Sequence, residues 1–504
     1  MTSAGGVLSK ERIIAPPGFN RWLVPPAALA IHLSIGMAYG FSVFWLPLSR
    51  AVGITASAPD DWKISTLGWM YTLFFVMLGS SAALFGAWVE REGPRKAGVV
   101  AALCWGGGFF ISALGVALHQ VWLLWLGSGV IGGYGLGLGY ISPVSTLVKW
   151  FPDRRGMATG LAIMGFGGGA MIGTPLADQL MRAFATPTSV GVWQTFIVLG
   201  AIYLVAMLAG AFGYRLPPPG WTPPGWNPPP ADVPAASRMV PVDIAWTTRQ
   251  FWLLWAVLCL NVSAGIGVLG MASPMIQEVF QGRVTASAAA GFTGLLSLFN
   301  IAGRLFWASL SDVIGRRMTY TIFFALGVIL YTTVPTAGSR GGLVLFVVLF
   351  CVILTMYGGG FATIPAYLAD LFGVGHVSAI HGRLLTAWST AGVLGPVLVN
   401  YLREFQIARG VPVSDAYTFT MYLLAGLLAI GFVCNLGVRP VAERLFITTT
   451  SGPPPSPATI AALSASRSGG SRWGLVLGAW SPALGSLGWG VTKTLMLARQ
   501  LFGA

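Results

Sequence analysis

Apolar residues fall along this chain in runs of about 20, the length a helix needs to cross membrane hydrocarbon. Such runs begin near Leu23, Ser65, Ala97, Val121, Gly156 and Gly191, and again near Gln250, Ser287, Met318, Gly342, Ser378 and Ala416. The pattern predicts six helices, a break, and six more. The break, Tyr214 to Arg249, contains LPPPGWTPPGWNPPPADVP, whose prolines cannot continue a helix and favour extended geometry. The predicted organisation is a tail over 1–22, a six-helix half over 23–213, a linker over 214–249 and a second six-helix half over 250–438. Residues 439–472 turn polar, which predicts disorder. Residues 473–504 carry another apolar run, Trp473 to Val491, barely long enough to span. It is expected to form a thirteenth membrane helix. A segment lying in the interface is the alternative, because a crossing leaves Lys493 and Arg499 outside.

The halves repeat each other. Glu90, Arg91, Gly93, Arg95 and Lys96 follow the second helix, and Asp312, Gly315, Arg316 and Arg317 follow the eighth: acid, two residues, glycine, basic pair, at an offset of 222. Tyr134, Pro143 and Phe151 match Tyr357, Pro365 and Phe372 at offsets of 223, 222 and 221, and Gly173-Thr-Pro175 faces Gly395-Pro396. Three independent pairs at one offset make two duplicated halves, which is the pattern of a secondary transporter with its site between the halves at mid-membrane.

Composition agrees: 55% of the 504 residues are hydrophobic and 9% charged, and 68 glycines and 32 prolines suit membrane helices. The net charge of +14 does not indicate nucleic acid, since the basic residues cap apolar runs and form no block. With both ends of the twelve-helix region inside, 17 Lys and Arg lie on the inner side as far as Arg444 and 7 on the outer. That asymmetry places the N-terminal tail and the linker in the cytoplasm of a multi-pass cell-membrane protein. Cys104, Cys259, Cys351 and Cys434 lie in predicted helices without close pairing, so neither a disulfide nor a metal site is expected. No cofactor motif or enzymatic constellation is visible.

Ionisable groups at membrane depth are costly and mark function. Arg304, two turns before the Asp312 turn, is the main one, and its planar guanidinium suits bidentate binding of a carboxylate. Bracing of the inner gate is the alternative role. His32 in the first helix is a candidate proton carrier. Asp178, one turn from Arg182 at the outer end of the fifth helix, is a weaker coupling candidate. His119, His376 and His381 are read as helix-end residues with no ligand spacing.

At the Glu90 and Asp312 turns the chain resembles the major facilitator superfamily, whose hallmark turn is met here with Glu90 in the usual aspartate place. The resemblance covers roughly residues 20 to 440 and implies that Glu90, Arg91, Gly93, Arg95, Asp312, Gly315, Arg316 and Arg317 latch the inner gate. More narrowly, KWFPDRRGMATG (149–160), Asn300-Ile-Ala-Gly-Arg304 and LLTAWSTAGVLGP (384–396) resemble the oxalate/formate antiporter family and the related monocarboxylate transporters. The acid-bearing first-helix signature of the animal carriers is absent.

That resemblance implies an all-α fold of 12 transmembrane helices, with Arg304 holding the substrate carboxylate. Asn300 stands one turn before it where the animal carriers have an acid. Oxalate carriers add a lysine on helix eleven, but the matching slot here is Trp388, and no Lys or Arg is expected in that helix after Arg383. One cation fits one carboxylate, so formate, acetate, lactate or pyruvate is the expected cargo, with proton coupling or exchange. Tyr39, Tyr140, Tyr357 and Trp388 lie in helices that line such cavities and are candidate walls. Oxalate/formate exchange, with His32 as second charge, is the rival in class, and a transporter-like sensor the rival outside it. The expected partners are the carboxylate, protons and membrane lipid. A monomer is expected.

Overall fold

Apolar segments of this length can satisfy their backbone hydrogen bonds in lipid only as helices or closed barrels. In the computed structural model, which describes residues 6–62, 64–226, 238–448 and 473–499, helices account for most of the described residues. The first half contains α1 (Val24–Ile35), α2 (Ile64–Glu92), α3 (Pro94–Ala117), α4 (Gly133–Trp150), α5 (Arg155–Phe184) and α6 (Val192–Gly213). The second contains α7 (Arg249–Val279), α8 (Ala286–Ile314), α9 (Arg316–Ser339), α10 (Leu343–Phe372), α11 in two pieces (Val377–Leu384 and Thr386–Ala408) and α12 (Thr418–Leu436). Beyond them lies α13 (Trp473–Ala498). Among the described residues, ten helices are long and apolar enough to cross a membrane. α8, with Asn300 and Arg304, α11, interrupted at Leu385, and α13 are not among them.

The repeat is structural. Adding 222 to the ends of α2 and α3 gives the ends of α8 and α9, and the same step takes the start of α5 to the start of α11. Within each half the same partners meet: α3 lies on α6 as α9 lies on α12, and α2 on α4 as α8 on α10. The halves meet through α5 on α8 and α2 on α11. These two pairings exchange under the same offset, as a pseudo-two-fold relation requires.

The turn glycines have a backbone reason to be there. Gly93 has φ +94° and Gly315 φ +86°, where a Cβ is strained, and each lets an arginine turn back onto the last helix of its own half. Arg95 donates to the Phe212 carbonyl at the end of α6, and Arg317 to the Leu436 carbonyl at the end of α12. Each guanidinium meets the negative end of a helix dipole.

Three elements differ from the sequence reading. The first helix is not continuous: after α1 the chain tightens into 3-10 turns over Gly36–Phe44, which carry Tyr39. Residues 439–448, at the head of the segment expected to be disordered, are ordered, and Ile447–Thr448 pair antiparallel with Arg238–Met239 of the linker. The rest of that segment, 449–472, lies outside the described residues, as do 227–237 of the linker. The eleventh helix extends to Ala408 and so includes Arg403, contrary to expectation; Arg403 is tied to Glu278 at 2.5 and 2.8 Å at the end far from the linker.

The extra helix α13 lies lengthwise against α1, α5 and α8. Trp480 Nε1 donates to the Trp22 carbonyl at 3.1 Å on the linker side. Leu487 packs over Gly168 of α5, and Thr494 over Gly294 near the opposite end of α8. It therefore bridges the two halves along the depth of the bundle.

Candidate functional site

Arg304 is completely buried, with Asn300 beside it at 1% exposure. Its Nε donates to Asn300 Oδ1 at 2.9 Å, one turn back on α8, and Nη1 donates to the Ile163 carbonyl of α5 at 2.8 Å. Both acceptors are neutral, so they orient the guanidinium without cancelling its charge. The rings of Phe166 and Phe361 lie 5.7 and 5.6 Å from its Cζ and add cation–π attraction. Nη2 has no hydrogen-bond partner among the described residues.

The aromatic candidates converge around this group from both halves. Tyr39 Oη bonds Tyr357 Oη at 2.8 Å, joining the first helix to α10. Trp388 is fully buried in the first turn of the second piece of α11, with its centroid 5.1 Å from Tyr140, 5.2 Å from Phe166, 4.3 Å from Phe361 and 6.3 Å from Tyr39. Trp388 Nε1 and the Tyr140 hydroxyl, like Arg304 Nη2, are buried without partners among the described residues. An unpaired buried donor costs about 1–3 kcal/mol. Several such donors around one cation in an apolar wall can serve an acceptor-rich group.

The helices come this close because Gly303 of α8 and Gly358 of α10 lack side chains where they face each other's helix. A Cβ on Gly303 would meet the Thr355 carbonyl oxygen of α10 at 2.1 Å and its Cα at 2.4 Å. The seam between α8 and α10 therefore closes beside Arg304.

Residues 18–396 match the sequence profile of the Major Facilitator Superfamily. The chain belongs to that family. It is 26% identical over 388 residues to the oxalate:formate antiporter of Oxalobacter formigenes, covering 75% of this chain and 83% of that one. It is also 26% identical over 405 residues to human monocarboxylate transporter 11, covering 77% and 78%. The fold resembles the Escherichia coli fucose:proton symporter, with a TM-score of 0.59 at 12% identity over 84% of this chain and all of the other. The protein is thus a multi-pass membrane transporter of the major facilitator superfamily for a small-molecule substrate.

The other predicted residues of this major facilitator chain take distinct places. The acids of the two repeated turns reach across the halves on the linker side: Asp312 Oδ2 accepts from Met157 N at the start of α5 at 3.1 Å, and Glu90 faces His376 Nδ1 at 3.4 Å just before α11. Asp312 also pairs with Arg316 at 2.5 Å, and Arg316 with Asp370 at 3.1 Å. Arg91 pairs with Glu92 and is exposed. Asp178 forms an exposed pair with Arg182 at 2.8 Å and is not among the residues around Arg304.

His32 lies at the edge of the aromatic cluster, 5.3 Å from Tyr140. Its Nδ1 faces the Ala162 carbonyl and its Nε2 the Tyr140 carbonyl at 3.1 Å. A neutral imidazole donates through one nitrogen only, and an imidazolium satisfies both acceptors. His32 and Arg304 thus rest on consecutive carbonyls of α5, Ala162 and Ile163.

Three further residues of this neighbourhood escaped the sequence reading. Phe166 had a signal, since it lies 222 positions before Trp388 and faces it across the halves. Phe361 had none beyond its helix. His381 was read as a helix-end residue. In the structure it is 1% exposed, against Tyr140 at 6.0 Å between centroids, because the break at Leu385 turns the first piece of α11 inward onto α2 and α4.

Proposed function

We propose that this protein carries small monocarboxylates across the cell membrane by alternating access, with its N-terminal tail and linker in the cytoplasm. The observation that carries the reading is the buried Nη2 of Arg304, without a partner among the described residues, on a cation whose acceptors there, Asn300 Oδ1 and the Ile163 carbonyl, are neutral, walled by aromatic rings from both halves. A carboxylate supplies the missing charge and acceptors together. The similarity to the oxalate:formate antiporter and to monocarboxylate transporter 11 supports the class of cargo. With Trp388 against the cluster, one permanent cation is present there among the described residues, which favours one carboxylate over two.

His32 is the proton carrier in this reading. It rests on the α5 carbonyl next to the one that holds Arg304, so both groups sit on one stretch of backbone. In proteoliposomes, an inward proton gradient is expected to stimulate labelled monocarboxylate uptake, and His32→Gln to abolish that stimulation while leaving exchange across equal pH. Oxalate uptake that requires internal formate and ignores the gradient would replace this reading with the exchanger.

The linker side is the closed gate in this reading, with Asp312 on α5 and Glu90 at His376 as its clasps. An acid at a helix N-terminus contributes up to about 1 kcal/mol, a factor of about five in an equilibrium. Asp312→Asn is therefore expected to raise maleimide labelling of Ala308→Cys, placed at the buried α5–α8 contact in a cysteine-free background, about fivefold. Unchanged labelling would remove Asp312 from the gate.

A further inference from the structure

The site has a second set of unmatched polar atoms. His381 Nε2 on α11 and Tyr140 Oη on α4 are both buried without a partner among the described residues, and their rings are neighbours at 6.0 Å. Neither is needed to orient Arg304, which Asn300 and Ile163 already hold. The two groups belong to the same cluster, because Tyr140 is in ring contact with both Phe166 and Trp388, and Phe166 also lies against Arg304. They also come from opposite halves.

The charges nearest in sequence to His381 point elsewhere. Arg383 donates to the Val242 carbonyl and pairs with Asp243, both at 3.0 Å, and His376 faces Glu90. The His381–Tyr140 corner is therefore polar and buried, with Arg383 and His376 engaged away from it, which suits an uncharged oxygen better than a second carboxylate.

We propose that His381 and Tyr140 form a second hydrogen-bonding pole of the substrate site, which selects short carboxylates bearing a further oxygen and disfavours those that are only alkyl. The inference rests on the carboxylate reading of Arg304 and adds a specificity determinant to it. A substrate held by Arg304 at one end and by this pole at the other touches both halves at once. An alkyl acid leaves the pole unpaired, and a site with unpaired polar groups rejects the analogue that lacks the matching atom.

The test compares uptake of pyruvate and propionate, which have equal carbon number and differ in the 2-oxo oxygen, in proteoliposomes of the full chain. Wild type is expected to show a KM for pyruvate about tenfold or more below that for propionate. Tyr140→Phe, which removes only the unpaired hydroxyl, and His381→Leu are each expected to bring that ratio towards one by raising the pyruvate KM more than the propionate KM. His381→Gln, which keeps a donor, is expected to restore part of the preference. A wild-type ratio near one, or a ratio that survives both removals, overturns the pole. Equal loss on both substrates in Tyr140→Phe assigns it a packing role and also overturns the proposal. If Arg304→Lys leaves both uptakes at wild-type level, the carboxylate reading fails instead, a result independent of the ratio.

Discussion

Arg304→Lys is expected to reduce monocarboxylate uptake about 100-fold at low substrate concentration. Lysine keeps the positive charge but not the planar fork. In the native site Nε and Nη1 are held by Asn300 Oδ1 and the Ile163 carbonyl, so that Nη2 is the group left for substrate. An ammonium cannot hold both acceptors from that stem and present a fixed donor as well. Losing a charge-assisted bond costs about 1.5–3 kcal/mol, and each 1.4 kcal/mol is a factor of ten. Initial rates of labelled lactate uptake, corrected for the amount of reconstituted protein, measure the effect. A rate within threefold of wild type would make Arg304 a brace of the bundle, and the site would have to be sought elsewhere.

Gly303→Ala is expected to be nearly as damaging, through packing and not charge. The added Cβ meets three backbone atoms of Thr355, at 2.1 Å from the oxygen, 2.4 Å from Cα and 2.6 Å from the carbonyl carbon. Backbone cannot rotate away as a side chain can, so α8 and α10 must separate, and overpacking of this kind costs about 1–3 kcal/mol or more. The residue moved first is Arg304, the next along α8, together with the Trp307 Nε1 bond to Thr355 Oγ1 at 3.1 Å. Uptake is expected to fall at least tenfold, with a lower melting temperature in detergent. The change Gly426→Ala on α12, where a Cβ meets nothing within 4 Å, is the control and is expected to be silent. Wild-type melting and uptake in Gly303→Ala would show that the seam can open at no cost.

By itself the sequence determined the membrane class, the two six-helix halves, the offset of 222 and the isolation of Arg304. Each depends on the kind of residue and its place in the chain: apolar runs as long as hydrocarbon is thick, prolines that break them, and a charge where charge is costly. The repeat even foretold helix ends, because glycine at a positive φ can stop one helix and start the next wherever it recurs, as at Gly93 and Gly315.

Tertiary structure alone decided which side chains gather. An all-apolar helix has no wet face to betray its rotation, so nothing local distinguishes Phe166 and Phe361, against Arg304, from the many phenylalanines elsewhere in the helices. Two interruptions that no run of hydropathy marks, at Gly36 and at Leu385, set the positions of Tyr39, Trp388 and His381. The clasps of Asp312 on Met157 and Glu90 at His376, and the bed of α13 across α5 and α8, join residues more than 150 positions apart. Only the packing of one half against the other brings such residues together, since their meeting depends on how helices lie on one another and not on what any one of them contains.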